Sequence, residues 1–94
     1  MKLIFEWDAN KDRLNLKKHK VGFEEARTLF NDPFLITFFD EYHSESEERY
    51  ISIGRSARGK ILLIVHTERR EDESMIIRII SCRKVTPHER RYYE

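Results

Sequence analysis

The sequence predicts a single α+β domain in which two helices cover one face of an antiparallel sheet. Helical patterning occupies the first third of the chain and its last residues, whereas residues 34–83 follow the two-residue period of strands. No repeat, low-complexity tract or linker divides the sequence, and 94 residues are enough for one core but too few for two. We therefore expect one domain over residues 1–94, with the element order β-α-α-β-β-β-β-α.

The first third of the chain predicts one strand and two helices. Residues 2–6 form a strand candidate, and Asp8 is placed to cap a helix over residues 9–19, which contain no glycine or proline. The apolar residues of the next segment recur at helical spacing and predict a second helix over residues 23–31. Pro33 follows as the signal that ends it.

The middle of the chain predicts a four-stranded antiparallel meander. Its strands are expected at residues 34–39, 49–55, 60–69 and 75–83. An acidic loop over residues 40–48 joins the first two strands, and short turns join the others. Short connections of this kind make each strand antiparallel to the one before it.

The sharpest local signal lies near the end of the chain. Thr86, Pro87 and Glu89 combine an N-cap residue, a proline that starts a helix and the glutamate of a capping box. They predict a terminal helix of about eight residues, which is too short to be stable alone and must dock on the sheet.

A turn near Asp72 pairs the last two strands and predicts which residues share each face of the sheet. One face is nearly free of charge and is expected to receive the helices. This face holds Leu63, Val65 and Thr67 against Ile77, Ile79 and Ser81. The other face carries ionisable groups, which fit poorly in a core, so it is expected to be partly exposed. That face holds Leu62, Ile64, His66 and Glu68 against Ile76, Arg78, Ile80 and Cys82.

Composition and charge exclude several classes of protein. No apolar run approaches the roughly 20 residues of a membrane span. The chain becomes charged after five residues, unlike a secretory signal. The 18 basic and 17 acidic residues leave almost no net charge, so charge alone does not indicate nucleic-acid binding. The single cysteine, Cys82, excludes an internal disulfide and fits a reducing compartment, so we expect a cytoplasmic protein.

The sequence contains no pattern typical of a metal or cofactor site. Its four histidines are far apart, and no two have the spacing of metal ligands. It also lacks a glycine-rich phosphate loop and a nucleophile elbow. We therefore expect neither a metal nor a cofactor.

Glu68 and Arg78 allow two interpretations. They could form a cross-strand ion pair worth about 0.2–1 kcal/mol. They could instead form an anion site, since arginine makes two charge-assisted hydrogen bonds to a phosphate and a nearby glutamate can move a proton. On RNA, such a site would promote attack of a 2′-hydroxyl on the adjacent phosphorus without a metal.

Short motifs follow one another in a recognisable order along almost the whole chain. They are Phe5-Glu6-Trp7-Asp8, Lys18-His19, Phe23-Glu24-Glu25-Ala26, Asp32-Pro33, Glu48-Arg49, Ile53-Gly54, Thr67-Glu68-Arg69, Arg78-Ile79-Ile80-Ser81, Arg83-Lys84 and Glu89-Arg90-Arg91. No single motif is specific, but the ordered set resembles the BrnT family. The resemblance implies a RelE-like fold and a ribonuclease toxin of a type II toxin–antitoxin pair. It also implies that the antitoxin, BrnA, is a ribbon-helix-helix DNA-binding protein and that the pair represses its own promoter.

Two residues depart from the family pattern. Lys20 stands where the family usually has a glycine at the end of the first helix, and a left-handed lysine there would cost about 1 kcal/mol. His66 stands where the family usually has an aromatic residue. We therefore treat His66 as a neighbour of the site and not as an inherited catalytic group.

We expect four catalytic and three RNA-binding residues. The catalytic candidates are His19, Glu68, Arg78 and Arg83, and the RNA-binding candidates are Lys18, Lys84 and Arg90. His19 could instead cap the carbonyl groups at the end of the first helix, and Asn15, four residues earlier, shares its face. Strand alternation places Arg83 on the core side and Lys84 on the opposite face, so at most one of them should join Arg78.

Three functions are consistent with these observations. The leading hypothesis is a metal-independent endoribonuclease toxin that is neutralised by its antitoxin. The alternative is a non-catalytic corepressor that adds surface to an antitoxin–operator complex, and its binding should depend little on salt. The third is an interaction protein whose exposed sheet face receives a helix of another chain, with no effect on RNA.

Overall fold

The computed structural model of the protein describes residues 1–94, and it confirms an α+β fold. The helices are α1 (Ala9–His19), α2 (Phe23–Ala26) and α3 (Pro87–Tyr93). The strands are β1 (Lys2–Glu6), β2 (Ile36–Phe39), β3 (Tyr50–Arg55), β4 (Ile61–Glu71) and β5 (Ser74–Lys84). The second predicted helix is α-helical for one turn and continues as a 3₁₀ turn over Arg27–Asn31. No helix is long and apolar enough to cross a membrane.

The five strands form one mixed sheet in the order β1-β5-β4-β3-β2. Strands β2 to β5 form the predicted antiparallel meander. The expectation of a wholly antiparallel sheet is wrong at β1, which pairs with β5 in parallel. The periodicity of a strand fixes which side chains share a face but not which sheet edge the strand joins. Strand β1 occupies the edge of β5 that faces away from β4, and its Phe5 packs against the core from there.

The β4–β5 hairpin departs from the predicted register at its turn and again at a bulge, and together these departures overturn the predicted assignment of the two sheet faces. Val65 pairs with Ser81 but His66 pairs with Ile79, so Ile80 is an extra residue in β5. A bulge of this kind opposes two residues on one strand to one on the other. Alternation along β5 therefore breaks at this point. The symmetric register expected for the hairpin is wrong from the turn onward, where Glu71 pairs with Ser74, one residue away from the expected partner.

The helices cover the face that was expected to be exposed. The main core joins the helix side chains to fully or almost fully buried strand residues. These strand residues are Leu62 and Ile64 of β4 with Ile77, Ile79 and Cys82 of β5. The helical contribution comes from Val21, Phe23, Ala26 and Leu29. Because of the bulge, the two isoleucines and the cysteine of β5 all face this core.

The side chain of Asn15 attaches α1 to β5. Its amide nitrogen donates to the carbonyl oxygens of Val21 and Cys82, at 2.9 and 2.8 Å, and its oxygen accepts from the Cys82 N–H at 3.1 Å. Strand β1 ends at Glu6, opposite Arg78, so it does not reach Cys82. The Asn15 amide thus occupies the hydrogen-bonding edge of β5 beyond the end of β1, and it bonds there instead of to His19.

The ends of α1 follow from individual residues. The Asp8 carboxylate caps the helix by accepting from the backbone N–H groups of Asn10 and Lys11. At the other end, Lys20 has a left-handed backbone with φ of 63°, as the family's glycine at this position would predict. Its N–H donates to the carbonyl oxygen of Leu16 and closes the last turn.

The terminal helix α3 lies on the opposite face of the sheet from α1 and α2. Tyr93 packs there beside a small second core of Ile53, Ile61 and Leu63. The predicted capping box is present, since Thr86 and Glu89 each accept a hydrogen bond from the other's backbone N–H. The Tyr93 hydroxyl also donates to the Asp32 carboxylate. The sheet is therefore covered by helices on both faces.

Candidate active site

Arg78 is an arginine in the middle of the sheet that has no protein partner. It lies on β5 between Glu6 of β1 and Thr67 of β4, on the face turned away from α1. It is exposed and forms neither a hydrogen bond nor an ion pair. By contrast, Arg69 bonds to the Glu6 carboxylate at 2.6 Å. The free guanidinium of Arg78 keeps its paired donors available for a phosphate.

Arg78 lines two neighbouring depressions. The larger has a volume of about 380 Å³ and is lined only by polar side chains, namely Glu47, Glu48, Thr67, Glu68, Arg69 and Arg78. The smaller, of about 260 Å³, lies at the end of β1 and is lined by Glu6, Trp7, Asp8 and Arg78. We call the larger one the Arg78 groove. It combines a free cation with several carboxylates, as an anion site with an acid or base requires.

Glu68 is a carboxyl group of this groove, and its pKa is shifted from the usual value. Its side chain is 29% exposed and forms no hydrogen bond with a protein group. Partial burial raises the pKa of Glu68, because a low-polarity environment disfavours the charged form. A carboxylate with a raised pKa is a better proton acceptor at neutral pH. Glu68 and Arg78 both line the groove, but they form no ion pair. The expectation that they share one face of the sheet is wrong, because Arg78 lies opposite Thr67 whereas Glu68 lies opposite Ile77.

His66 was expected on a partly exposed surface with Glu68 and Arg78, and this expectation is wrong. The ring is fully buried on the helix side of the sheet. It stacks on Tyr50 and meets Phe30 edge-on. Burial lowers the pKa of His66 to about 4, with a smaller opposite effect from the backbone of Thr67. The ring is therefore neutral at pH 7, and an aromatic packing position has been filled by an imidazole.

Arg83 is held by a carboxylate and not presented to the groove. Its two terminal nitrogens donate to the two oxygens of Glu89, at 2.7 and 2.8 Å. This pairing raises the pKa of Arg83 and lowers that of Glu89 to about 2. Because of the bulge, Arg83 lies opposite Leu63, on the same sheet face as Arg78 and α3. The predicted core-side position of Arg83 is therefore wrong.

The remaining candidates lie away from the Arg78 groove. Lys84 and Arg90 line a third depression, of about 240 Å³, together with Lys60, at the other end of β5. Lys18 is exposed and His19 half-buried at the end of α1, and neither lines either groove. The structure thus brings together Glu68 with Arg78, and Lys84 with Arg90.

Four groove residues were missed as site candidates. Thr67 and Arg69 flank Glu68 in the Thr67-Glu68-Arg69 motif, and their position opposite β5 was the available signal. Glu47 and Glu48 belong to a run assigned to a loop, and nothing in the sequence shows that this loop borders the groove. No cluster of three or more His, Cys, Asp or Glu side chains is placed to hold a metal ion.

The fold and the groove define a small α+β protein with a site suited to phosphodiester chemistry. A sequence model described as the ribonuclease toxin BrnT of a type II toxin–antitoxin system matches residues 7–89. The chain therefore belongs to the BrnT family of ribonuclease toxins.

A solved structure supports the fold assignment. The chain resembles the 1.1 Å crystal structure of the Brucella abortus ribonuclease toxin BrnT, with a TM-score of 0.62. The two share 19% sequence identity, and the similarity covers 92% of this chain and 99% of that one. A comparison with curated proteins found no match.

Proposed function

We propose that this ribonuclease toxin is a metal-independent endoribonuclease with a RelE-like fold, which inhibits translation and growth by cutting RNA in the Arg78 groove. The observation that carries the proposal is the free guanidinium of Arg78 in a groove shared with Glu68. Three nearby arginines differ from Arg78 because each is paired with a carboxylate, namely Arg69, Arg83 and Arg90.

The proposed reaction is an internal transesterification. The Glu68 carboxylate removes the proton of the 2′-hydroxyl, and the 2′ oxygen forms a bond to the adjacent phosphorus. The bond from phosphorus to the 5′ oxygen breaks, and that oxygen takes a proton from solvent as it leaves, while Glu68 returns its proton to solvent after the reaction. The products are a 2′,3′-cyclic phosphate and a 5′-hydroxyl. Arg78 stabilises the extra negative charge on the phosphate oxygens during this step.

The other candidates have supporting roles in this proposal. Lys84 and Arg90 bind backbone phosphates away from the scissile one, and Lys18 adds positive charge at the end of α1. Arg83 keeps α3 in place through Glu89, because its donors are already used. His19 ends α1 among basic residues and is assigned no proton transfer.

Cleavage of a defined single-stranded RNA in EDTA tests the proposal. We expect Arg78→Ala and Glu68→Gln to lower the rate by about 100-fold or more, the range for removal of one group that stabilises or activates the reacting atoms. Arg70→Ala is the matched control, because Arg70 lies on the same hairpin without a partner and lines a different depression. Equal rates for Arg78→Ala and wild type would refute the site.

We also propose a ribbon-helix-helix antitoxin as the partner, and a corepressor role remains the second candidate. The observation that favours the corepressor role is the small number of free cations, given 18 basic and 17 acidic residues and several paired arginines. Binding of RNA through several phosphates gives a steep fall of affinity with salt. A corepressor alone would bind RNA weakly, with almost no salt dependence and no cleavage.

A further inference from the structure

A chain of polar side chains crosses three strands on the helix side of the sheet. The hydroxyls of Thr37 on β2 and Ser52 on β3 are 2.8 Å apart, and the Ser52 oxygen is 2.7 Å from Nε2 of His66 on β4. The other ring nitrogen of His66, Nδ1, is buried and has no hydrogen-bond partner. The nearest carboxylate oxygen, Oε1 of Glu68, is 3.9 Å from it.

The chemistry of the chain fixes where the hydrogen of the imidazole lies. His66 is neutral at pH 7 and carries one ring hydrogen. If the Ser52 hydroxyl donates to Nε2, that hydrogen is on Nδ1 and points towards Glu68. The other tautomer would aim a lone pair of Nδ1 at the Glu68 carboxylate. The negative charge of Glu68 therefore favours the Nδ1–H form.

We propose that His66 is a positioning residue for Glu68, and that its Nδ1–H donates a hydrogen bond to the Glu68 carboxylate once that carboxylate is ionised. The proposal rests on the proposed function, in which Glu68 is the general base. A buried donor without a partner is unfavourable, which favours formation of this bond. Glu68 is free to move, since it is 29% exposed and held by no other bond, and a shift of about 1 Å brings the two atoms to hydrogen-bond distance.

Several other titratable groups face Glu68 in addition to His66. They are Glu47 and Glu48 from the loop before β3, Tyr50 from β3, Arg69 from β4 and Arg78 from β5. All of these remain when His66 is replaced. A hydrogen bond to the ionised form lowers a carboxyl pKa, so loss of the Nδ1–H must raise it.

Direct titration of Glu68 by carboxyl-carbon NMR tests the proposal on the folded protein. We expect His66→Phe, which keeps an aromatic ring but no donor, to raise the midpoint by about one pH unit. His66→Asn should restore the wild-type midpoint, because the asparagine amide nitrogen takes the place of Nδ1. His66→Gln should not restore the midpoint, because the glutamine amide reaches towards Ser52 instead. An unchanged midpoint in His66→Phe would overturn the proposal.

Two further measurements keep the proposal testable if a variant does not fold. Nitrogen NMR shifts of the wild-type ring report the tautomer, and hydrogen on Nε2 instead of Nδ1 would overturn it. The pH–rate profile should show its acidic limb shifted upward in His66→Phe and restored in His66→Asn. If Glu68→Gln cleaves RNA normally while the titration behaves as expected, the proposed function fails and the hydrogen bond stands.

Discussion

The Asn15 side chain offers the sharpest test of how the helical layer is attached to the sheet. Replacement by aspartate keeps its shape and one oxygen for the Cys82 N–H. It exchanges the amide nitrogen for a carboxylate oxygen, which then faces the carbonyl oxygens of Val21 and Cys82. Both carbonyls lose their donor, and a negative charge is placed at a position that is 8% exposed.

The expected loss follows from these contacts. A buried carbonyl left without its partner costs about 1–3 kcal/mol, so two of them cost about 4 kcal/mol. Burial of the charge adds to this. A domain of this size is stable by roughly 5–14 kcal/mol, so Asn15→Asp should remove a large part of the total.

Urea unfolding at pH 7 measures this loss, with Asn10→Asp as the matched control. Asn10 makes the same chemical change on the same helix, but it is exposed in the first turn, where a negative charge is tolerated or favourable. We expect the control to stay within about 0.5 kcal/mol of wild type. An Asn15→Asp variant within about 1 kcal/mol of wild type would refute the reasoning.

Three further predictions concern stability. The pKa of His66 falls from 6.5 to about 4 on folding. Burial of the neutral imidazole therefore contributes stability above pH 6.5 that is lost as pH falls towards 4. In urea unfolding, the free energy of unfolding should fall by about 2 kcal/mol less between pH 7 and pH 5 in His66→Phe than in wild type. Lys20→Gly should stabilise the protein by about 1 kcal/mol, or raise its Tm by about 4–8 °C, because φ at this position is 63°; no gain in a thermal scan would contradict it. Glu89→Gln should weaken the partly exposed pair with Arg83 by about 1 kcal/mol and speed hydrogen exchange in α3. Since the pKa of Glu89 is lowered from 4.5 to about 2, that pair contributes above pH 4.5 and is lost as pH falls towards 2, and unchanged exchange would refute its role.

Local rules predicted the elements of the fold well. Asp8, Thr86 and Glu89 specify helix starts through bonds made within a few residues, and all three act as expected. The left-handed backbone at Lys20 also follows from its position at a helix end. The parallel pairing of β1 with β5 was missed, because periodicity carries no information about the choice of sheet edge.

The predicted faces failed for two physical reasons. The turn at residues 72–73 shifts the β4–β5 pairing by one residue from the symmetric register, so His66 and Glu68 lie opposite Ile79 and Ile77 and not on the face of Arg78. The extra residue Ile80 then interrupts alternation along β5 and brings Arg83 to the face of Arg78, and nothing in a run of isoleucines marks where such a bulge falls. Glu68 and Arg78 nevertheless line one groove, because both lie in the half of the hairpin next to its turn.

Analysis of the new RNA ends in EDTA tests the central claim most directly. Glu68 and Arg78 provide a base and a phosphate-binding cation, so wild-type protein should leave 2′,3′-cyclic phosphates and 5′-hydroxyls. Glu68→Gln should leave the same RNA intact. Ends that carry a 3′-hydroxyl and a 5′-phosphate, or cleavage that stops when EDTA is added, would contradict the proposed 2′-hydroxyl attack.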